Sequence, residues 1–157
     1  MSESPSQPSV FLPFPPSPDR DSQPYWDGLA RGELRLQRCD RCRALRWPAR
    51  AICNRCRSFA YAWEVCDGSA RLVSWIRTHQ VFAPALSEAV PYVVVQVALD
   101  AQQDLLLIGA WSSSRQPKVG EPLEMDIREG ADGYRLPCWR PVGEGSGPGP
   151  ERERNDR

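Results

Sequence analysis

The chain has 157 residues, a length that suits one domain with at most a small added module, and its acidic and basic residues balance to a formal net charge of zero. Neither nucleic acid nor membrane is favoured by that balance, and the longest apolar run, Val90–Leu99 with Gln96 inside it, is too short to span a bilayer. The N-terminus has no basic and apolar leader pattern, so the default expectation is a cytoplasmic protein, in which six cysteines point to metal or free thiols and not to disulfides.

Residues 1–23 are dense in Pro and Ser, and residues 143–157 in Gly, Pro and charge; both compositions favour solvated chain over a packed core. Between them, SQPYWDGLARG reads as a short helix, with Ser22 as N-cap, Pro24 in the first turn and Gly32 just past the end. Tyr25, Trp26 and Leu29 share one face of it. A helix this short is not stable alone, so that face must pack on something. ELRLQRC then alternates, Leu34 and Leu36 against Arg35 and Gln37, and reads as a strand.

From Ala70 onward every signal is β. Strands are expected near ARLVSWIRTHQVF, YVVVQVAL, DLLLIGAW, LEMDIRE and YRLPCWR, broken by turn residues at 84–91, 100–104, 112–120 and 130–133. Five short antiparallel strands suit a small barrel, with a five-stranded OB-fold as the leading form, although strand count does not separate it from an SH3-like barrel.

The segment between these regions carries the chemistry. CDRC, ten residues and CNRC place two C-x-x-C knuckles where four thiolates can converge on one tetrahedral point, the geometry zinc prefers. Cys39, Cys42, Cys53 and Cys56 are therefore the expected ligands of one structural Zn²⁺. A site closed by four protein sulfurs leaves no position for water or substrate. Iron also suits four thiolates. Such knuckles usually turn back through glycine, but Arg43 and Arg57 stand there, and each must accept an unfavourable φ or alter its turn.

Between Glu33 and Arg57 lie eight arginines against one Glu and one Asp, a local charge of +6 that the rest of the chain balances with −6. Zinc with four thiolates carries a formal −2, which leaves about +4 for a solvated face or for docking an anion or acidic partner. Arg43 and Arg46 are the residues expected to contact a phosphate-bearing ligand or an acidic partner, since arginine suits bidentate phosphate recognition. His79, the single histidine, falls in the first barrel strand with no nucleophile motif around it, and Cys66 and Cys138 read as buried thiols. No catalytic residue is expected. Trp75, Trp111 and Trp139 read as barrel core, with stacking on single-stranded nucleic acid as the alternative for an OB-fold.

The succession YWDGLARGELRLQRCDRC, RWPARAICNRC, AWEV, GSARLVSWIRTHQVF, VPYVVVQVALD, LLIGAW, VGEPLEMDI and LPCWRPV resembles the zinc-ribbon/OB-fold proteins that accompany thiolases (domain of unknown function 35, acyl-CoA-associated), from about Tyr25 to Val142. The resemblance implies a mainly β protein: an N-terminal helix and rubredoxin-like zinc ribbon over 24–66, then an OB-fold over 67–142. It also implies a non-catalytic partner of a thiolase-superfamily enzyme in a hetero-oligomer. That enzyme would act on acyl-CoA thioesters by retro-aldol cleavage, as in steroid side-chain degradation, by condensation or by acyl transfer, with the small subunit contributing to acyl-CoA binding. A nucleic-acid-binding ribbon and OB module is the competing function. The expected strands argue against it, because beyond Arg71 and Arg77 they carry few charges for phosphate.

Overall fold

The computed structural model describes residues 16–130 and 133–145; most of both expected tails lies outside them. Helix α1 spans Gln23–Ala30, with Pro24 in its first turn. It ends as the sequence predicts: Gly32 takes φ +83°, and the Gly32 and Glu33 amides donate to the Leu29 and Gly28 carbonyls at 3.0 and 2.9 Å. This double closure needs a residue that tolerates a left-handed conformation. Ser22 stands at the N-cap position but its hydroxyl does not cap the helix. It accepts from the Asp19 amide at 3.1 Å, while the Ser22 amide donates to Asp19 Oδ1 at 2.7 Å. A competing local turn has taken the capping group.

Three strands form the ribbon: β1 (Leu34–Cys39), β2 (Leu45–Arg46) and β3 (Tyr61–Cys66), in the order β2-β1-β3 and all antiparallel. Leu34 and Leu36 point into the core as their alternation requires. Gln37, expected on the solvent side, is instead buried, because the 47–52 loop folds over that side and the Arg50 amide donates to Gln37 Oε1 at 2.9 Å.

The other strands are β4 (Ala70–Thr78), β5 (Tyr92–Leu99), β6 (Gln102–Trp111), β7 (Pro122–Glu129) and β8 (Arg135–Pro141). They close into a barrel in the order β4-β5-β6-β8-β7, with β7 returning to β4. This is the expected five-stranded barrel, with one correction: β6 and β8 pair in parallel, Ala110 opposite Cys138 and Trp111 opposite Trp139. The OB-like chain path requires it: β7 and β8 form an antiparallel hairpin, and the 112–121 connection carries the chain from β6 to the start of that hairpin, so its second strand meets β6 running the same way. β4 also stops at Thr78, so His79 lies beyond the strand and is exposed. Trp139 is fully buried in the barrel, and a Cβ at Gly109 would stand 2.8 Å from its indole ring, so the strand facing it carries no side chain there.

A single buried cluster runs from Tyr25 and Leu29 through Leu34, Leu36 and Leu45 to Leu72, Val95, Val97, Leu107, Leu123 and Trp139. Helix, ribbon and barrel thus share one core. Tyr25 stacks on Trp47 with centroids 3.8 Å apart and meets Trp26 edge-on at 5.1 Å. Burial pushes its phenol well above the ordinary value. The joint is tightened by Gln102, whose Oε1 accepts from the Leu45 amide at 2.7 Å and whose Nε2 donates to the Leu45 carbonyl at 3.1 Å. Arg55 of the ribbon also pairs with Asp104 of the barrel.

Candidate metal centre

Each knuckle is a tight turn built the same way. In the first, the Arg43 amide donates to the Cys39 carbonyl and the Cys39 amide to the Ala44 carbonyl, both at 2.9 Å. In the second, the Arg57 amide donates to the Cys53 carbonyl and the Cys53 amide to the Ser58 carbonyl, again at 2.9 Å. The two arginines in the glycine positions keep the turn and accept the strain, at φ +63° and +61°. Side chains with a Cβ pay roughly 1–2 kcal/mol for that conformation.

The turns bring the four sulfurs together. Cys39 Sγ lies 3.5 Å from Cys56 Sγ, Cys42 Sγ lies 3.6 Å from Cys53 Sγ, and all four ligand atoms fall within 4.8 Å of one another. A disulfide needs about 2.05 Å. A tetrahedron with metal–sulfur bonds of about 2.3 Å has edges of about 3.8 Å, so the cluster has the dimensions of a zinc site. Cys39 and Cys53 are buried, whereas Cys42 is exposed and Cys56 half-exposed, so the centre sits at the tip of the ribbon with one side on the surface.

Amides turned towards sulfur favour the thiolate. The Cys53 thiol is drawn down to about 6, first by the Cys56 amide and, after the opposing effect of burial, by that of Arg55. Cys39 is lowered in the same way, first by the Cys42 amide. Cys56 is pushed up to about 11: the Ser58 amide lowers it, but desolvation and the three neighbouring thiols outweigh that amide. Four thiols this close cannot all ionise without a cation among them, and a divalent metal supplies that charge.

Carboxylates meet several of the arginines. Arg38 pairs with Glu64, its Nη2 at 2.7 Å from Oε1, and its Nη1 donates to the Arg43 carbonyl at 2.6 Å, which braces the first knuckle from behind. That pairing holds Glu64 below the usual carboxylate value. Arg43 is well exposed, 65% by side chain, with Glu64 at 3.8 Å. Arg46, which sequence reasoning grouped with Arg43 on the surface, is elsewhere: it is 2% exposed, inside the ribbon. The structure therefore separates the two.

The remaining candidates do not assemble. Cys138 is buried and its thiol is pushed up to about 12 by that burial and by Asp126, while burial and Glu64 raise Cys66. Trp111 and Trp139 belong to the core and Trp75 packs against it, so these indoles are not stacking platforms for bases. Sequence reasoning missed β2, whose two residues carry no period, and β3, whose residues show no alternation of burial.

Residues 26–62 match the family described as "ChsH2, rubredoxin-like zinc ribbon domain". The segment is a rubredoxin-like zinc ribbon. The four-cysteine cluster of this zinc ribbon is a structural zinc centre, and the resemblance to the domain-of-unknown-function-35 proteins stands. The chain is similar to a solved chain of an "Ltp2-ChsH2(DUF35) aldolase", with 28% identity and a TM-score of 0.72 over 81% of this chain and 98% of that one. A protein of unknown function from the same family in Sulfolobus solfataricus shares the fold, with 13% identity and a TM-score of 0.54 over 78% of this chain and 85% of the other. A curated relative from Thermomonospora curvata, named "Probable enoyl-CoA hydratase alpha subunit", is 28% identical over 127 residues. That stretch is 81% of this chain and 39% of the relative, so the chain spans well under half of the relative's length.

Proposed function

We propose that this chain is a non-catalytic accessory subunit that binds and supports a thiolase-like enzyme acting on acyl-CoA thioesters. The carrying observation is the likeness to the aldolase chain, nearly all of which is matched. Retro-aldol cleavage of a CoA thioester, including those of steroid side chains, is accordingly the partner reaction we favour over condensation or acyl transfer. Cys39, Cys42, Cys53 and Cys56 hold the zinc that folds the ribbon over 24–66, and the barrel over 67–142 supplies a rigid second body. Arg43, exposed beside the metal, contacts the partner or its acyl-CoA, whereas Arg46, buried inside the ribbon, is not on that surface. Trp26, with Trp47, Val94, Ile108 and Leu136, lines an apolar groove between α1 and the barrel that extends the contact surface. The complex is cytoplasmic in this reading; no helix of the described residues is long and apolar enough to cross a membrane.

Two facts support assigning the chemistry to the partner. The only cysteine thiols outside the metal cluster are raised by burial, the opposite of nucleophile activation, and His79 is an exposed residue outside the strand series. The test is co-purification of the untagged native chain from its host, with the bound protein identified and the pair assayed on CoA thioesters. A stable complex with a thiolase-like enzyme is expected. Recovery of the chain alone, or with nucleic acid that survives moderate salt, would refute the proposal.

A further inference from the structure

Arg46 and Gln37 face each other across β1 and β2, so their side chains leave the sheet on the same side, and Trp63 continues that row on β3. Both are fully or almost fully buried, at 2% and 0% exposure. Among the described residues nothing accepts a hydrogen bond from Arg46 Nε, Nη1 or Nη2, or from Gln37 Nε2. The Gln37 amide orientation is fixed, because its oxygen is taken by the Arg50 amide. Four buried donor atoms therefore lie together, one group carrying a charge it cannot lose. A buried guanidinium without an acceptor is strongly unfavourable for the free fold.

The cover over this cluster is made by the 47–52 loop, whose Arg50 amide reaches Gln37, and by one aromatic ring. Tyr61 lies over the guanidinium, 4.9 Å from its centroid, and is itself 36% exposed. Val65, on the same side of β3, is exposed as well. Tyr61 is thus the part of the cover that reaches the surface, and it stands against the guanidinium. We infer that Arg46 and Gln37 form a receptor for a single carboxylate, presented by an acidic side chain of the partner protein and covered by Tyr61 in the free chain. This deepens the accessory-subunit reading and rests on it. A carboxylate is favoured over phosphate by charge. The site offers one buried guanidinium, which a carboxylate meets with two parallel bonds and neutralises. A phosphate carries nearly two negative charges at neutral pH and would leave the excess buried.

The experiment uses the full zinc-loaded chain, wild type and Arg46→Met. The variant removes the charge while filling the space, and its Tm is expected to rise by about 3–10 °C with zinc retained. Acetate, titrated against chloride at constant ionic strength, is expected to raise the wild-type Tm and shift the Arg46 Nε–H resonance. The gain is about tenfold in the folding equilibrium at ten times Kd. Inorganic phosphate is expected to do less, and Arg46→Met should respond to neither. In the complex, Arg46→Met should weaken partner binding at least tenfold. A lower Tm or loss of zinc in Arg46→Met would make the guanidinium a structural counter-charge to the metal and overturn the inference. Absence of any acetate response, or a stronger response to phosphate, would overturn it too. Failure to recover a thiolase-like partner would sink the subunit reading while leaving the acetate titration to be judged by itself.

Discussion

Arg57 is the cleanest place to test the account of the knuckles. Its φ of +61° is forced by the amide bond to the Cys53 carbonyl, and its exposed guanidinium has no carboxylate partner among the described residues. Arg57→Gly keeps the amide and releases the strain, worth roughly 1–2 kcal/mol. Glycine returns roughly 0.5–1 kcal/mol of that through the flexibility of the unfolded chain. The net expectation is a gain of about 0.5–1 kcal/mol, or a Tm higher by about 2–4 °C. Arg57→Ala is the control: it loses the same guanidinium but retains the Cβ, and should stay within about 0.5 kcal/mol of wild type. Thermal unfolding of zinc-loaded protein, with chelator competition to confirm that the metal is retained, reads both. If glycine stabilised no more than alanine, the backbone would not be strained as described and the reasoning would fail. Arg43→Gly should gain less, because it also gives up the 3.8 Å contact with Glu64.

Freshly prepared native chain should contain about one zinc per molecule, and Cys39→Ala or Cys53→Ala should lose it and unfold the ribbon; metal analysis with far-ultraviolet circular dichroism decides. Gln102→Ala should cost about 2–3 kcal/mol, since it removes two hydrogen bonds and leaves the Leu45 amide and carbonyl without partners; denaturant titration measures the loss. The Glu64 carboxyl is held below its ordinary value of 4.5, so its contribution is fully present above that value and disappears as pH falls through the lowered one. Glu64→Gln should therefore flatten the fall in stability below about pH 4.5, and a Tm series from pH 3 to 7 that stayed parallel to wild type would count against the Arg38 pairing.

Much of this architecture was legible because its signals are local. The C-x-x-C pairs name the metal site, Gly32 marks the end of α1, and the alternation of Leu123, Met125 and Ile127 gives β7. What escaped depends on contacts distant in sequence. The parallel pairing of β6 with β8 is set by barrel closure, which no single segment encodes. β3 reads as nothing in particular because its residues YAWEVC lie largely at the surface. Ser22 was a fair cap by residue type, yet Asp19, three residues earlier, had the shorter route to its hydroxyl. Arg46 was hardest, because an arginine among seven others looks like surface until the 47–52 loop is seen to lie over its side of the sheet.

The clamp of Gln102 on Leu45 carries a consequence for how the protein is maintained in a cell. Metal capture at the ribbon tip fixes β1 and β2, β2 is tied to β6 by both backbone groups of one residue, and the apolar cluster runs on without interruption. Loss of zinc therefore would not leave a sound barrel carrying a loose end; it would expose Leu34, Leu36 and Leu45 on the barrel's flank. Zinc supply then acts as quality control on the whole molecule, because a chain that fails to load metal would display that apolar surface to chaperones and proteases.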